Sequence, residues 1–427
     1  MELRPYRLPG DVLSRLAAGG GGAEGARHLA AAEDSKHRGL LMALLGLAGT
    51  GAVERAFDVL AAVEKRDPAA VEGVLRYPAV GAWANRAVYR LKRGIRDPLE
   101  PAQLGAVAAA AAIEAGVACE TPVPVRQGRI MLPSLGRITL PGGGSELVTL
   151  RVGPGRTVEV GGVRLRAGAA GRPGWEPLHR IGSGRRRLIV DDLDPCRWDP
   201  GKVVEGRLSP DELRHWQDCL TAAWRMLTGH HWTVAQEVAA IIPVLVPIKG
   251  PARGQDSASD GARFGAVAMS TPPDGRWLAA TFAHEVQHAK LGAVLDTVHL
   301  VRPEVRTRDE RVHYAPWRDD PRPLSGLLHG AYAYLGVAGF WRRQRAHEPD
   351  LRPHVEFARW RRSAFEVTGT LLADGGLTPP GEEFVAAMRR TLSAWLDEPV
   401  PAAAAAEARR LSAAHREAWT ARNGLTG

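Results

Sequence analysis

Residues Arg276–Leu295 read RWLAATFAHEVQHAKLGAVL. Phe282, Val286, Leu291 and Val294 recur at helical spacing, so the stretch predicts one long helix. On it lies His284-Glu285-Val286-Gln287-His288, an HExxH motif. Residues four apart sit one turn apart on the same face, so both imidazoles can reach one metal ion. Glu285 is turned about 100° from His284, beside the metal and outside the obligatory ligand pair. Ala280, Thr281 and Gly292 lie on or near the histidine face and leave room there. The five-residue pattern also arises by chance. Its place in a helix that follows a strand and a turn argues for a site over two histidines on a polar face.

Two histidines alone hold a metal weakly, so a third ligand is expected. The metzincin extension is absent, because Ala289 to Val294 contains no histidine. The strongest candidate is His329, in a second helix predicted over Leu324–Arg343 (LSGLLHGAYAYLGVAGFWRR). A lone histidine in an apolar helix is usually a core residue. Here Ser325, Gly326, Ala333 and Gly336 give a small-residue face that permits close packing against another helix. Glu304 and Glu310, in a charged segment read as a loop, are the carboxylate alternatives, and His299 and His313 are lesser ones. Between the two helices runs YAPWRDDPRP, Tyr314 to Pro323. Its plain reading is a rigid loop with local Arg–Asp pairs. Its functional reading is that Arg318 or Arg322 reaches the metal cavity and clamps a carboxylate in bidentate fashion.

Outward from the motif, Ser209-Pro210-Asp211-Glu212 caps a helix. IIPVLVPI (Ile241–Ile248) and FGAVAM (Phe264–Met269) read as strands, with Pro243 and Pro247 expected to put the first at a sheet edge. Residues 121–205 alternate short apolar runs with turn residues, the pattern of meandering antiparallel strands. Asp191, Asp192 and Asp194 fall there in a proline-bounded turn and are set aside as metal ligands. Residues 1–120 read as helices, with a loop at Gly19–Gly22 and a break at Asp67-Pro68. His28 and His37 lack neighbouring ligand types and are taken as structural. The expected fold is α+β and mainly helical, with a β-rich middle segment and a small sheet beside the HExxH helix. The expected division is 1–120, 121–205 and a catalytic region over 206–427.

Composition narrows the function. The 427 residues carry 56 basic and 47 acidic side chains, a net charge of +9. The excess is mostly arginine and spread along the chain, without a basic run interleaved with aromatics, which argues against nucleic acid. An acidic peptide or a small carboxylate suits it equally well. Cys119, Cys196 and Cys219 are too few and scattered for a disulfide framework or a CxxC zinc site. The longest apolar run, Leu104 to Ile113, suits a buried helix and not a membrane span. The N-terminal residues lack a signal-peptide pattern, so a reducing cytoplasm is the expected setting.

Three segments, AMSTPPDGRWLAATFAHE, HEVQHAKLGAVLDTVHL and YAPWRDDPRPLSGLLHGAYAYLGVAGFW, together resemble the HEXXH-motif domain family of ribosomal-peptide modification clusters. The likeness spans about Phe264 to Trp341 and is looser elsewhere, as at EDSKHRGLLMALL. The resemblance implies an Fe(II)- and 2-oxoglutarate-dependent peptide β-hydroxylase. Its substrate would be a precursor peptide, and its members occur near or fused to radical-SAM maturases. It also implies that His284 and His288 bind iron and that His329 completes the set. A set of three histidines would depart from the usual two-His-one-carboxylate pattern, which Glu310 as third ligand would restore. Assigning Arg318 or Arg322 to the cosubstrate carboxylate is inference from the loop. Two other readings stand beside this one. In a zinc metallopeptidase, Glu285 would be general base on a Zn(II)-bound water. In a module without chemistry, the fold would only present a peptide to a partner.

Overall fold

The computed structural model describes residues 6–49, 51–168, 173–184, 187–252, 254–303 and 311–424. Over these residues the fold is α+β and mainly helical, 58% helix and 15% strand, as expected. Six helices come first: α1 (Gly10–Ala17), α2 (Gly22–Ala48), α3 (Gly51–Arg66), α4 (Pro68–Leu75), α5 (Pro78–Lys92) and α6 (Gln103–Ala115). Residues 18–21 separate α1 from α2, and Gly22 opens the second helix. Asp67 caps α4 by accepting a hydrogen bond from the Ala70 N–H at 3.0 Å. The Leu104–Ile113 run is a wholly buried helix within α6.

The β-rich segment holds β1 (Cys119–Val125), β2 (Arg129–Leu132), β3 (Gly136–Thr139), β4 (Glu146–Gly153), β5 (Thr157–Val160), β6 (Val163–Arg166), β7 (Trp175–Pro177), β8 (His179–Ile181) and β9 (Leu188–Val190). The order β1-β4-β5-β6 makes one antiparallel sheet and β2-β3-β7 another. Next come α7 (Pro210–His230), α8 (Trp232–Ile241), β10 (Val244–Pro247), β11 (Ser257–Ala258) and β12 (Ala266–Met269). The third sheet runs β11-β12-β10-β9-β8, with β10 parallel to both its neighbours.

The proline pair therefore does not demote β10 to an edge. Pro243 stands just before the strand and offers only its carbonyl, which accepts from the Ile189 N–H at 2.9 Å. Pro247 is the last residue of the strand, where its carbonyl accepts from the Val204 N–H. A missing N–H costs nothing at positions that need only accept.

The chain closes with α9 (Gly275–Thr297), β13 (Val312–His313), β14 (Arg322–Pro323), α10 (Leu324–Gln344), α11 (Arg352–Asp374), α12 (Pro379–Leu396) and α13 (Ala402–Asn423). The composition boundaries at 120 and 205 mark changes of sequence character, whereas contacts divide the chain differently, into two compact units. The first takes residues 33–217 and 242–271, and its core is α3 to α6 packed on the antiparallel strands. The second takes residues 6–32, 218–241 and 272–427, and is helical apart from the short β13–β14 pair. No helix among the described residues is long and apolar enough to cross a membrane.

Candidate metal centre

The second unit holds the HExxH helix. Asp274 caps α9 by accepting from the Trp277 N–H at 2.7 Å, so the helix starts where its sequence begins to repeat. Helix α10 packs against it closely because Gly336 has no side chain. A Cβ there would stand 2.5 Å from Gln287 Cγ and 2.6 Å from the Ala283 carbonyl oxygen. Beneath the motif, the Lys290 ammonium is wholly buried. It donates to Glu237 Oε2 and to the Gly20 carbonyl, both at 2.9 Å. That ion pair ties α9 to α8 and to the loop before α2.

His284, Glu285 and His288 come together as the HExxH spacing predicts. Their donor atoms all lie within 4.8 Å of one another. The two imidazole rings are 4.7 Å apart, nearly perpendicular. His329, on α10, is next to them, its ring centroid 5.9 Å from that of His288. It stands outside the tight three-residue cluster and on the same side as His288. A metal–imidazole bond is about 2.0–2.1 Å long, so nitrogens on one ion stand at most about 4.2 Å apart; His284 and His288 are near that reach, whereas His329 would have to move closer to join them. Burial pushes the His288 pKa down to about 3, with neighbouring His284 adding to the effect. Burial lowers His329 as well, followed by the cation of Arg322. Both rings are therefore neutral at neutral pH, the form that binds metal. Imidazole donors with a carboxylate beside them suit a divalent transition metal, iron or zinc alike.

Glu285 is fully buried, and its Oε1 accepts from His284 Nδ1 at 3.0 Å. A carboxylate on Nδ1 fixes the tautomer and leaves Nε2 to a metal. The Tyr314–Pro323 segment makes the local Arg–Asp pairs of its plain reading, though its last two residues are strand β14 and not loop. Arg318 Nε donates to Asp320 Oδ1 at 2.7 Å, and Arg322 Nη1 to Asp320 Oδ2 at 3.1 Å. The two arginines differ beyond that. Arg318 is half exposed. Arg322 lies against Gly326, its charge acts on His329, and its Nε–H is buried with no partner among the described residues.

Of the other ligand candidates, Glu304 and Glu310 lie outside the described residues. His313 Nε2 sits 2.9 Å from Asp374 Oδ2, away from the cluster, and His299 does not join it either. His28 takes a hydrogen bond with the Tyr6 hydroxyl, and buried His37 one with the Leu75 carbonyl. Asp191, Asp192 and Asp194 are buried acceptors of backbone, Tyr77 and Arg207 hydrogen bonds.

An aromatic wall beside the metal cluster escaped the sequence reading. Tyr334 stands edge-on to His284 at 5.4 Å. Trp317 stacks on Tyr334 at 4.8 Å, and Trp360 of α11 packs on it at 4.4 Å. Gly330 makes the room, since a Cβ there would stand 2.3 Å from Trp317 Nε1. Trp317 and Gly330 lie thirteen residues apart, and only that glycine hinted at the contact.

No protein-family model matches the chain, and no curated protein matches it either.

Proposed function

We propose that the protein is an Fe(II)- and 2-oxoglutarate-dependent hydroxylase acting on the β-carbon of a side chain in a ribosomally made peptide. The observation that carries this reading is Arg322, a cation beside His329 whose buried Nε–H lacks a partner among the described residues. A dicarboxylate cosubstrate needs such a donor, and a peptide bond does not. His284, His288 and His329 would hold the iron. The bound iron would couple oxidative decarboxylation of 2-oxoglutarate to insertion of one oxygen atom into a carbon–hydrogen bond. In this reading Glu285 orients His284 and moves no proton. Arg322 holds the distal carboxylate of the cosubstrate, and Arg318 braces the loop through Asp320. The wall of Trp317, Tyr334 and Trp360 keeps water from one side of the centre.

A second reading, a zinc peptidase, draws on the closeness of Glu285 to both histidines. The 3.0 Å contact with His284 Nδ1 counts against it, because a general base must face the metal-bound water.

The test is aerobic incubation with Fe(II), 2-oxoglutarate and any short precursor-type peptide encoded near the gene, with a panel of synthetic peptides in its absence. Succinate release and a peptide heavier by one oxygen atom are expected. Peptide cleavage with Zn(II) alone, without succinate, would establish the peptidase instead. Replacement of His329 by alanine should abolish stoichiometric iron binding. Retained iron in His329→Ala would remove that residue from the ligand set. The implied radical-SAM partner is checked by whether it and this protein modify the same peptide.

A further inference from the structure

The second unit carries a cavity of about 430 Å³ lined by α11, the end of α12 and α13. Its apolar lining is small: Ala358, Ala405 and Ala408, with Leu396 and Val400 at one side. Against that surface stand four guanidiniums, Arg359, Arg361, Arg362 and Arg409, and a single carboxylate, Glu366. Arg361 is buried and serves the fold, donating to the Glu398 and Trp395 carbonyls. The other three have no ion-pair partner among the described residues, and Arg362 and Arg409 are exposed. Several other arginines of this unit are paired, as Arg276 with Glu348, Arg318 with Asp320, Arg342 with Glu398 and Arg410 with Glu407, and what sets the groove apart is that three unpaired ones line a single cavity. Unpaired cations gathered over a small apolar floor are an arrangement that stability does not require, since like charges repel.

A run of packed side chains connects the rim of the groove to the metal cluster. Arg359 stands 4.3 Å over the Trp360 ring, Trp360 packs on Tyr334, and Tyr334 adjoins His284. We propose that this groove docks an acidic stretch of the peptide substrate, with Arg359, Arg362 and Arg409 pairing with its carboxylates. Planar guanidiniums pair carboxylates in bidentate fashion. Alanines along the floor let an extended peptide backbone come close. A single-stranded nucleic acid fits less well, because binding it needs free aromatic faces for base stacking. Here no aromatic side chain lines the cavity among the described residues, and Trp360 beside it is covered by Arg359 and Tyr334. The assignment of the docked stretch to the substrate rests on the hydroxylase reading, whereas the docking itself does not.

The test uses the full chain without added metal. Fluorescence anisotropy follows a labelled Glu-Gly repeat peptide, with a Gln-Gly repeat as neutral control. The acidic peptide should bind and the neutral one should not. The double variant R362E/R409E should weaken binding at least tenfold and flatten its salt dependence. R362Q/R409Q should give a smaller loss in the same direction. R164E/R214E, which changes net charge equally at exposed positions of the first unit, should bind as wild type, and circular dichroism should find all variants folded. No binding by wild type, or an equal loss in R164E/R214E, would overturn the proposal. So would tighter binding of an oligouridine that the same pair of arginines controls. The two readings fail separately. Acidic-peptide binding with no succinate release supports the groove and refutes the hydroxylase. Hydroxylation whose KM is untouched by R362E/R409E does the reverse.

Discussion

The two chemistries weighed for this centre part at one hydrogen bond, between Glu285 Oε1 and His284 Nδ1. If Glu285 serves to orient a ligand, Glu285→Gln should weaken iron binding about 10–100-fold, the usual loss for an outer-shell partner. Competition with a coloured chelator measures it. A peptidase base would behave otherwise: Glu285→Gln would keep its metal and lose only turnover. Arg322 makes the matching case for the cosubstrate. Arg322→Lys keeps the charge and loses the fork, so the KM for 2-oxoglutarate should rise at least tenfold with kcat changed less. Arg318→Lys should move neither beyond about twofold, because its fork is turned to Asp320. From the sequence the two arginines were equivalent. Only the approach of Arg322 to His329 separates them.

At the scale of elements, the centre depends on how closely α9 and α10 approach. Gly336→Ala inserts a methyl between them at sub-contact distance from Gln287 and Ala283. It should cost about 1–3 kcal/mol, the usual range for overpacking, and should also weaken iron binding by moving His329 relative to His288. Urea unfolding and chelator competition on the same variant read both effects. The Lys290–Glu237 pair holds α9 from beneath. Lys290→Met leaves a buried carboxylate without its partner and should cost about 3–5 kcal/mol. Lys290→Met/Glu237→Gln should recover part of that loss, because no charge is then left uncompensated. Helices α9 and α10 were legible to within two residues at each end, through their periodicity and the turn residues before them. The β13–β14 pair was not, because two-residue strands have no periodicity to read. The central place of β10 was misread, because proline's lost donor matters only where a neighbour requires one.

For the molecule as a whole, the two units should respond to pH in opposite senses. In the second unit, burial pushes His231 down to about 4, in a site where it contacts Gln344 and stacks on Phe340. Between the ordinary value of 6.5 and about 4, the unfolded chain binds a proton that the folded one refuses. Stability of that unit therefore falls as pH drops through this window, by at most about 1.4 kcal/mol per pH unit. In the first unit, burial raises Asp194 to about 7, aided by neighbouring Asp191. There the folded state keeps a proton that the unfolded chain releases, so stability falls as pH rises from about 4 to 7. Hydrogen exchange resolved by peptide at pH 5 and pH 7 should find the first unit better protected at the lower value and the second at the higher. Asp194→Asn should weaken the trend in the first unit alone, with Asp191, also raised by burial, supplying what remains. The same sense of change in both units would refute the assignment.

By itself, the sequence determined what is local along the chain. Helical period, caps, turn residues and the four-residue spacing of His284 and His288 each act within a few residues, and the α+β, mainly helical character follows from them. Tertiary structure alone decided what lies far apart in sequence and close in space. It brought His329 beside His288, set Arg322 close enough for its charge to act on His329, stacked Trp317 and Trp360 on Tyr334, and gathered arginines of α11 and α13 that are unpaired among the described residues around one cavity. The physical reason is that such contacts depend on which helix faces meet and how closely. Small residues such as Gly330 and Gly336 control that approach, and their effect cannot be read until the partner surface is known.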